Sequence, residues 1–84
     1  MTYNVEMSVK AEIHLETIYN LLLLNHPAIA RKVKNKLIDS IKSLSTFPNR
    51  GARYRRTDYK FLVSGKFKIV YKVETDRVII IAID

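Results

Sequence analysis

Two stretches with the spacing of amphipathic helices follow each other almost without a connection, and this feature constrains the fold more than any other. The first runs from about residue 9 to 24 and the second from 27 to about 45. In each stretch apolar residues recur every three or four positions, which makes one helix face apolar. Pro27 suits the first position of a helix, where its missing N–H leaves no helical hydrogen bond unmade. A connection of two or three residues predicts two antiparallel helices packed side by side.

Four shorter segments have the pattern of β-strands. The first begins at Tyr3 and ends before Ser8, which we expect to cap the first helix. Two more flank Ser64-Gly65, a pair typical of a hairpin turn. The last, residues 78–83, has no polar residue and is expected to be a strand buried on both faces. The order strand, helix, helix, strand, strand, strand predicts an α+β domain, with a helical hairpin packed on one face of a mainly antiparallel four-stranded sheet.

Length and composition limit the classes to which the chain can belong. With 84 residues the chain is close to the smallest size at which one core sustains a fold, so we expect a single domain over residues 1–84. The absence of cysteine excludes disulfides and thiolate metal sites, and it fits a reducing cytoplasm. The first ten residues do not have the pattern of an export signal, and the apolar run 21–24 is too short to span a bilayer. We therefore expect a cytoplasmic protein with no membrane partner.

Net charge is the strongest compositional clue. It is +7, and most of the excess lies in residues 49–72, which contain a single acid, Asp58. A clustered excess of this kind favours a polyanionic partner, such as nucleic acid, the ribosome or an acidic protein, over charge distributed for solubility. For the lysines of this segment, the solvated face of a half-covered sheet is an equally open interpretation. The basic residues of the segment are Arg50, Arg53, Arg55, Arg56, Lys60, Lys66, Lys68 and Lys72.

Four motifs, taken in order, resemble the RelE/ParE toxins. They are "Y-x-V-x-x-S" at the start of the chain, "P-x-x-A" at the start of the second helix, "S-L-x-x-F-P-x-x-G" at its end, and "S-G-x-F-K-I-V-Y-K-V" after the basic stretch. The match covers nearly the whole chain. The matching residues are Tyr3, Val5, Ser8, Pro27, Ala30, Ser43, Leu44, Phe47, Pro48, Gly51, Ser64, Gly65, Phe67, Lys68, Ile69, Val70 and Tyr71.

The resemblance implies a bacterial or archaeal toxin of a type II toxin-antitoxin system, made together with an antitoxin protein that wraps around it in a hetero-oligomer. RelE-like toxins enter the ribosomal A site and cleave mRNA, whereas ParE-like toxins block DNA gyrase without cleaving RNA. The first hypothesis is therefore inhibition of translation by a ribosome-dependent mRNA interferase. The second is a ParE-like gyrase inhibitor, and the third is a degenerate toxin that retains only antitoxin binding.

RNA cleavage of the RelE type needs no metal and no cofactor. The ribose 2′-hydroxyl attacks the adjacent phosphate, so a base must take its proton and cations must stabilise the charge on the phosphoryl oxygens. The resemblance makes Lys68, Arg56 and Lys60 the candidate catalytic residues. We expect the stretch from Arg50 to Lys60 to form one wall of a basic concavity whose floor is the strand face of Lys66 and Lys68. The candidate residues for binding RNA or another target are Arg50, Arg53, Tyr54, Arg55 and Lys66.

Two departures from the family pattern weaken the hypothesis of RNA cleavage, and the second of them favours the gyrase hypothesis. Phe67-Lys68 stands where the resemblance expects a Tyr-Arg pair, and lysine offers a point charge where arginine offers a bidentate fork. RelE-like enzymes also continue after the last strand with an Arg and a Tyr or His, whereas this sequence ends at Asp84. We expect the antitoxin to lay an amphipathic helix on the helical hairpin or to pair an extended segment with the sheet, with its acids facing the basic concavity.

Ordinary structural roles are open for several of the singled-out residues. Tyr54 and Tyr59 suit stacking on RNA bases, but packing of the loop against the sheet explains them equally well. His14 and His26 are too far apart in sequence to form a helical pair of metal ligands, so no metal site is expected.

Overall fold

The structure, a computed structural model, describes residues 2–84. Two helices lie on one face of a five-stranded sheet whose strand order is β1-β5-β4-β3-β2. The elements are β1 (Asn4–Met7), α1 (Val9–Asn25), α2 (Pro27–Ser43), β2 (Ala52–Arg53), β3 (Lys60–Ser64), β4 (Phe67–Val73) and β5 (Arg77–Ile83). Neither helix is long and apolar enough to cross a membrane. The predicted α+β class and helical hairpin are confirmed.

The sheet differs from the prediction in strand number and in direction. β1 pairs with β5 in parallel, and the other pairs are antiparallel, so the sheet is mixed. The additional strand, β2, has only two residues, both exposed, which is too short to show an alternation of apolar and polar residues. The parallel pairing could not be predicted from the sequence pattern either. Alternation of apolar and polar residues identifies a strand, but it gives neither the neighbour of that strand nor its direction.

Local signals at the helix starts are confirmed. The Ser8 Oγ accepts a hydrogen bond from the Ala11 N–H at 3.1 Å, which satisfies one of the free donors of the first turn of α1. Pro27 is the first residue of α2, and a single residue, His26, separates the two helices. The short connection makes the helices antiparallel neighbours, with α1 packed on β5 and β1 and α2 packed on β3.

The core lies between the helical hairpin and the sheet. Tyr71 and Ile69 of β4 and Leu37 of α2 are fully or almost fully buried there. Because side chains alternate along a strand, Lys68, Val70 and Lys72 of β4 point to the opposite side of the sheet, here called the open face. The other members of the buried cluster are Ala11, Ile41, Leu44, Val78, Ile80 and Ile83.

The expectation that the last strand is buried on both faces was wrong. Its residues on the helix side are buried, whereas Ile79, Ile81 and Ala82 keep partial exposure. Among residues 2–84 no further layer covers the open face, so an apolar residue there is shielded only by its neighbours. The register of β5 against β4 also shifts between Val70 and Tyr71, as in a β-bulge.

The edge of β5 that faces β1 is completed by Ser8 and by His14 of α1. Beyond the end of β1, the Ser8 N–H donates to the Ile80 carbonyl at 2.9 Å and the Ser8 Oγ donates to the Ile81 carbonyl at 3.0 Å. The Nδ1 atom of His14 accepts from the Ile83 N–H at 3.1 Å. These bonds give the backbone groups at the end of β5 the partners that a longer β1 would otherwise supply.

Candidate target-binding surface

The segment from Arg50 to Lys60, called the basic loop below, is attached to the centre of the sheet at its start. The Gly51 N–H donates to the hydroxyl oxygen of Tyr71 at 2.9 Å. A Cβ at position 51 would lie 2.5 Å from the Phe61 carbonyl oxygen and 2.6 Å from the Tyr71 hydroxyl, so only glycine fits without rearrangement. Burial raises the pKa of Tyr71 because it disfavours the phenolate, while the Gly51 N–H and the charge of Arg50 partly oppose this effect.

The tip of the basic loop is held by its own hydrogen bonds. The Tyr54 N–H donates to the Tyr59 carbonyl at 2.8 Å, which closes the loop. Inside it, the Thr57 N–H donates to the Tyr54 carbonyl at 3.2 Å, and the Thr57 Oγ1 donates to the same oxygen at 2.6 Å. The Nε atom of Arg53 donates to the Thr57 carbonyl at 3.2 Å. The loop therefore presents its arginines from a defined backbone.

Four side chains of the basic loop and the open face form a continuous series, the aromatic–cation row. The guanidinium carbon of Arg55 lies 5.1 Å from the centre of the Tyr54 ring. The Tyr54 and Phe61 rings meet edge to face, with centres 6.0 Å apart and planes inclined by 73°. The Phe61 ring also contacts Lys68, whose Nζ lies 5.3 Å from the ring centre. The row thus places two aromatic rings between two cations, from the basic loop to β4.

The structure does not bring the three candidate catalytic residues together. Lys68 is paired with Val63 and lies on the open face, whereas Lys60 is paired with Tyr71 and therefore lies on the face that the helices cover. Arg56 lies in the turn at the tip of the basic loop. Lys60 and Lys68 thus approach opposite sides of the sheet.

The expected target-binding residues are also divided. Arg53 pairs with Lys60 and shares its face, while Tyr54 and Arg55 belong to the aromatic–cation row. Arg50 is exposed and donates from Nη1 to the Ser43 Oγ at 2.7 Å. Lys66 lies in the β3–β4 turn, where it borders a separate apolar groove on the helix side.

A concavity borders the basic loop, and its other side belongs to the same sheet face as Lys68 but is formed by a different residue. It has a volume of about 350 Å³ and is lined by residues 56–59 together with Lys72. Lys72, which lies on the open face, therefore takes the place that the sequence suggested for Lys66 and Lys68. Within residues 2–84 the only basic residues in salt bridges are Lys72 and Arg77, so the cations of the basic loop are not neutralised by acids of the described chain.

Comparison with known families gives the chain its classification. The family model described as the ParE toxin of type II toxin-antitoxin systems, parDE, matches residues 5–84. The chain belongs to the ParE toxin family. Comparison with curated proteins gave no significant match for this ParE-family toxin.

Two solved structures share the fold of the ParE-family toxin. A chain of the chromosomal ParDE toxin-antitoxin system from P. aeruginosa superposes with a TM-score of 0.85 at 23% identity, over 99% of this chain and 95% of that one. A chain of the toxin-antitoxin complex RelBE2 from Mycobacterium tuberculosis superposes with a TM-score of 0.73 at 21% identity, over 100% of this chain and 98% of that one. At these identities the likeness establishes the fold.

The ParE-family toxin has a second surface, an apolar groove between the α1–α2 connection and the β3–β4 turn. Its volume is about 380 Å³, and Ile29, Val33 and Phe67 contribute apolar surface. Lys36 and Lys66 border it, so the groove combines an apolar lining with positive charge. The lining also includes Leu22, His26, Ser64 and Gly65. Ser64 is buried, and its Oγ has no hydrogen-bond partner among the described residues.

Two residues of the target-binding surface did not stand out in the sequence. Phe61 belongs to a predicted strand and Lys72 to the basic segment 49–72, but neither was a candidate site residue, because each gains its place from a neighbouring strand. One signal could have separated Lys60 from Lys68. A two-residue turn at Gly65 and Lys66 pairs Ser64 with Phe67, and counting outward from that pair places Lys60 opposite Tyr71. Residues 2–84 contain no group of three or more His, Cys, Asp and Glu side chains placed to hold a metal ion.

Proposed function

We propose that this ParE-family toxin arrests growth by binding DNA gyrase in the cytoplasm, through the basic loop and the aromatic–cation row, without cleaving RNA. The observation that carries the proposal is the separation of Lys60 from Lys68 by the sheet. A general base and the cations that stabilise a phosphoryl group must reach neighbouring atoms of one substrate. Side chains on opposite faces of a sheet do not meet this requirement, but they are compatible with a binding surface.

The chemistry of the surface also supports binding. Tyrosine and arginine are enriched among the residues that contribute most to protein–protein affinity. Here Tyr54 and Arg55 stand side by side, and Phe61 supports the tyrosine ring from the sheet. The uncompensated positive charge favours an acidic partner surface and fast association with it.

A supercoiling assay tests the proposal. Purified protein is added in increasing amounts to gyrase, ATP and relaxed plasmid, and supercoiling is followed on a gel. We expect inhibition once the protein reaches a concentration comparable with that of gyrase, because a binding inhibitor acts stoichiometrically. In a parallel translation extract the added mRNA should stay intact. Undisturbed supercoiling at a large excess of protein, together with messages cut inside their translated regions, would overturn the proposal.

Ribosome-dependent mRNA cleavage is the second candidate, and one observation favours it. Aromatic rings next to cations are the side chains that stack on unpaired bases and hold their phosphates, and the row of Tyr54, Phe61 and Lys68 has this composition. In that case the translation extract, and not the supercoiling assay, should respond. A Lys68→Ala variant should then lose cleavage while it still binds ribosomes.

The apolar groove is proposed as the docking site of an antitoxin. Both solved relatives were determined as toxin-antitoxin systems or complexes. An amphipathic helix with apolar residues on one side and acids at its borders would match the lining of the groove and the charges of Lys36 and Lys66. We propose that a neighbouring gene encodes this partner as a small protein with a DNA-binding N-terminal part and an acidic tail.

Co-purification tests the docking site. Ile29 lines the groove and is 45% exposed, so Ile29→Asp should reduce the amount of co-expressed antitoxin that co-purifies without unfolding the toxin. The matched control is Val63→Asp, at a position 59% exposed on the open face, which should leave co-purification unchanged. Full antitoxin recovery with Ile29→Asp would exclude the groove. A wild-type protein that binds antitoxin but slows neither growth nor gyrase would support the degenerate-toxin hypothesis.

A further inference from the structure

Arg55 adopts a backbone conformation that its side chain disfavours. Its φ is +53°, and no other non-glycine residue among positions 2–84 has a positive φ. For an L-residue this region brings Cβ close to the following carbonyl, which is why glycine usually occupies such turn positions. A chain under no other constraint would be expected to place glycine here, as it does at Gly65 in the β3–β4 turn, where φ is +59°. Unfavourable backbone geometry that persists is typical of functional sites.

The surroundings of Arg55 hold the side chain where a partner can reach it. The residue is exposed, its guanidinium lies 5.1 Å from the Tyr54 ring centre, and Tyr54 is fixed in turn by Phe61. A guanidinium packed on an aromatic ring keeps the N–H donors that lie in its own plane. Arg55 takes part in none of the salt bridges found within residues 2–84. The turn therefore presents a pre-positioned fork of donors without an internal acceptor.

We propose that Arg55 is the specificity-determining anchor of the toxin and that it binds a carboxylate of the target protein through two parallel N–H···O bonds. This inference rests on the proposed function, which makes the target a protein. The geometry favours a single planar acceptor over a nucleic-acid backbone. A phosphate-tracking surface needs successive cations in line on one face. Here two aromatic rings separate Arg55 from Lys68, and Arg53 lies on the opposite face of the sheet.

Two substitutions separate recognition from folding. Arg55→Gly removes the fork and relieves the backbone, so its melting temperature should not fall below that of the wild type, while binding to DNA-free gyrase should weaken about tenfold or more. Arg55→Lys keeps the charge but not the bidentate geometry, so it should bind more weakly than the wild type by a similar factor. The control, Arg31→Gln, removes one exposed arginine from α2 and should change neither property.

The outcomes are distinct. Wild-type binding by Arg55→Gly or Arg55→Lys would overturn the anchor. A loss of binding that occurs only when DNA is present would contradict a carboxylate as the ligand of Arg55 and indicate a phosphate. If the wild-type protein arrests growth but does not bind gyrase, the proposed function fails, and Arg55 is then judged by growth. Relief of arrest by Arg55→Gly, but not by Arg31→Gln, supports the anchor, and persistent arrest contradicts it.

Discussion

The hydroxyl oxygen of Tyr71, in the middle of β4, accepts a hydrogen bond of 2.9 Å from the backbone N–H of Gly51, at the entrance to the basic loop. The Tyr71 ring is fully buried among residues from the helices and the sheet. A core residue thus fixes the start of the surface that we assign to target binding. A substitution at either residue should therefore affect both the stability of the core and the position of the basic loop.

Tyr71→Phe should destabilise the protein by about 1 kcal/mol, because it removes the acceptor of the Gly51 N–H and leaves the ring in place. Urea unfolding measures the change. Tyr19→Phe is the control, because it also removes a tyrosine hydroxyl and keeps the ring. The Tyr19 ring lies 4.4 Å from the Lys34 Nζ, and this contact is retained. Equal midpoints for the two variants would show that the Tyr71 hydroxyl contributes nothing to stability.

Alkaline pH should destabilise the wild type more than Tyr71→Phe. Burial raises the pKa of Tyr71 in the folded protein above its ordinary value of 10.0, so the unfolded chain releases this proton first. The stabilising contribution is complete below about pH 10 and is lost as the pH rises through the folded pKa. Unfolding midpoints of both proteins, measured from about pH 8 upward, should converge above about pH 10. A constant difference would contradict the shift.

Gly51→Ala should be more damaging than Gly65→Ala. At position 51 the new methyl group would lie 2.5 Å from a backbone carbonyl oxygen, and moving the backbone should reduce stability by about 2–3 kcal/mol. At position 65 no atom lies within 4 Å, and only the positive φ opposes alanine, at about 1 kcal/mol. Thermal melts of the two variants give the comparison. The reverse order would mean that the loop entrance can move freely.

Reversing the charge of the basic loop should abolish growth arrest without unfolding the protein. The variant carries Glu in place of Arg53, Arg55 and Arg56, all exposed, so the changes at Arg55 and Arg56 should each alter stability by less than about 0.5 kcal/mol. The change at Arg53 also removes its hydrogen bond to the Thr57 carbonyl, which should cost about 1 kcal/mol. The control reverses three exposed cations of α2, Arg31, Lys32 and Lys42, and changes the net charge equally. Growth after induction is the measurement. Full toxicity of the folded loop variant would leave the basic loop with a role in solubility alone.

His14→Phe should destabilise the end of β5 by about 1–2 kcal/mol, because the Ile83 N–H loses the acceptor that Nδ1 provides. Hydrogen exchange at the Ile83 amide should show the loss directly. His26→Gln is the matched control, since the side chain of His26 forms no capping hydrogen bond at the start of α2. Unchanged exchange at Ile83 in the His14 variant would contradict the role of His14.

The sequence was sufficient for the elements whose causes are local. The Ser8 cap, Pro27 at the start of α2 and the hairpin turn at Gly65 each depend on residues a few positions apart, and each is present. Which distant segments pair with each other could not be predicted from such local signals. The parallel β1–β5 pair and the two-residue β2 depend on which strands meet, and a one-residue difference in register moves a side chain to the other face.

The same limit explains the candidate site. The charge pattern drew attention to residues 50–60, but charge alone does not show that Lys60 and Lys68 lie on opposite faces, which depends on the register of the β3–β4 hairpin. It also gave no reason to group Phe61 of β3 with Tyr54 of the basic loop, whose rings meet edge to face. The positive φ of Arg55 could not be predicted from the sequence, because arginine is not typical of turn positions with a positive φ.

The pairing of β1 with β5 determines when this toxin can fold. The strand at Asn4–Met7 finds its partner only at Arg77–Ile83, and the bond from the Ser8 hydroxyl to the Ile81 carbonyl joins residues 73 positions apart. Contacts of such long range form late, since the entropy of closing the intervening chain must be overcome first. On the ribosome the sheet therefore stays incomplete until residue 83 has emerged. The residues of α1 and α2 emerge earlier, so a nascent chain contains the helix side of the apolar groove before it contains the basic loop.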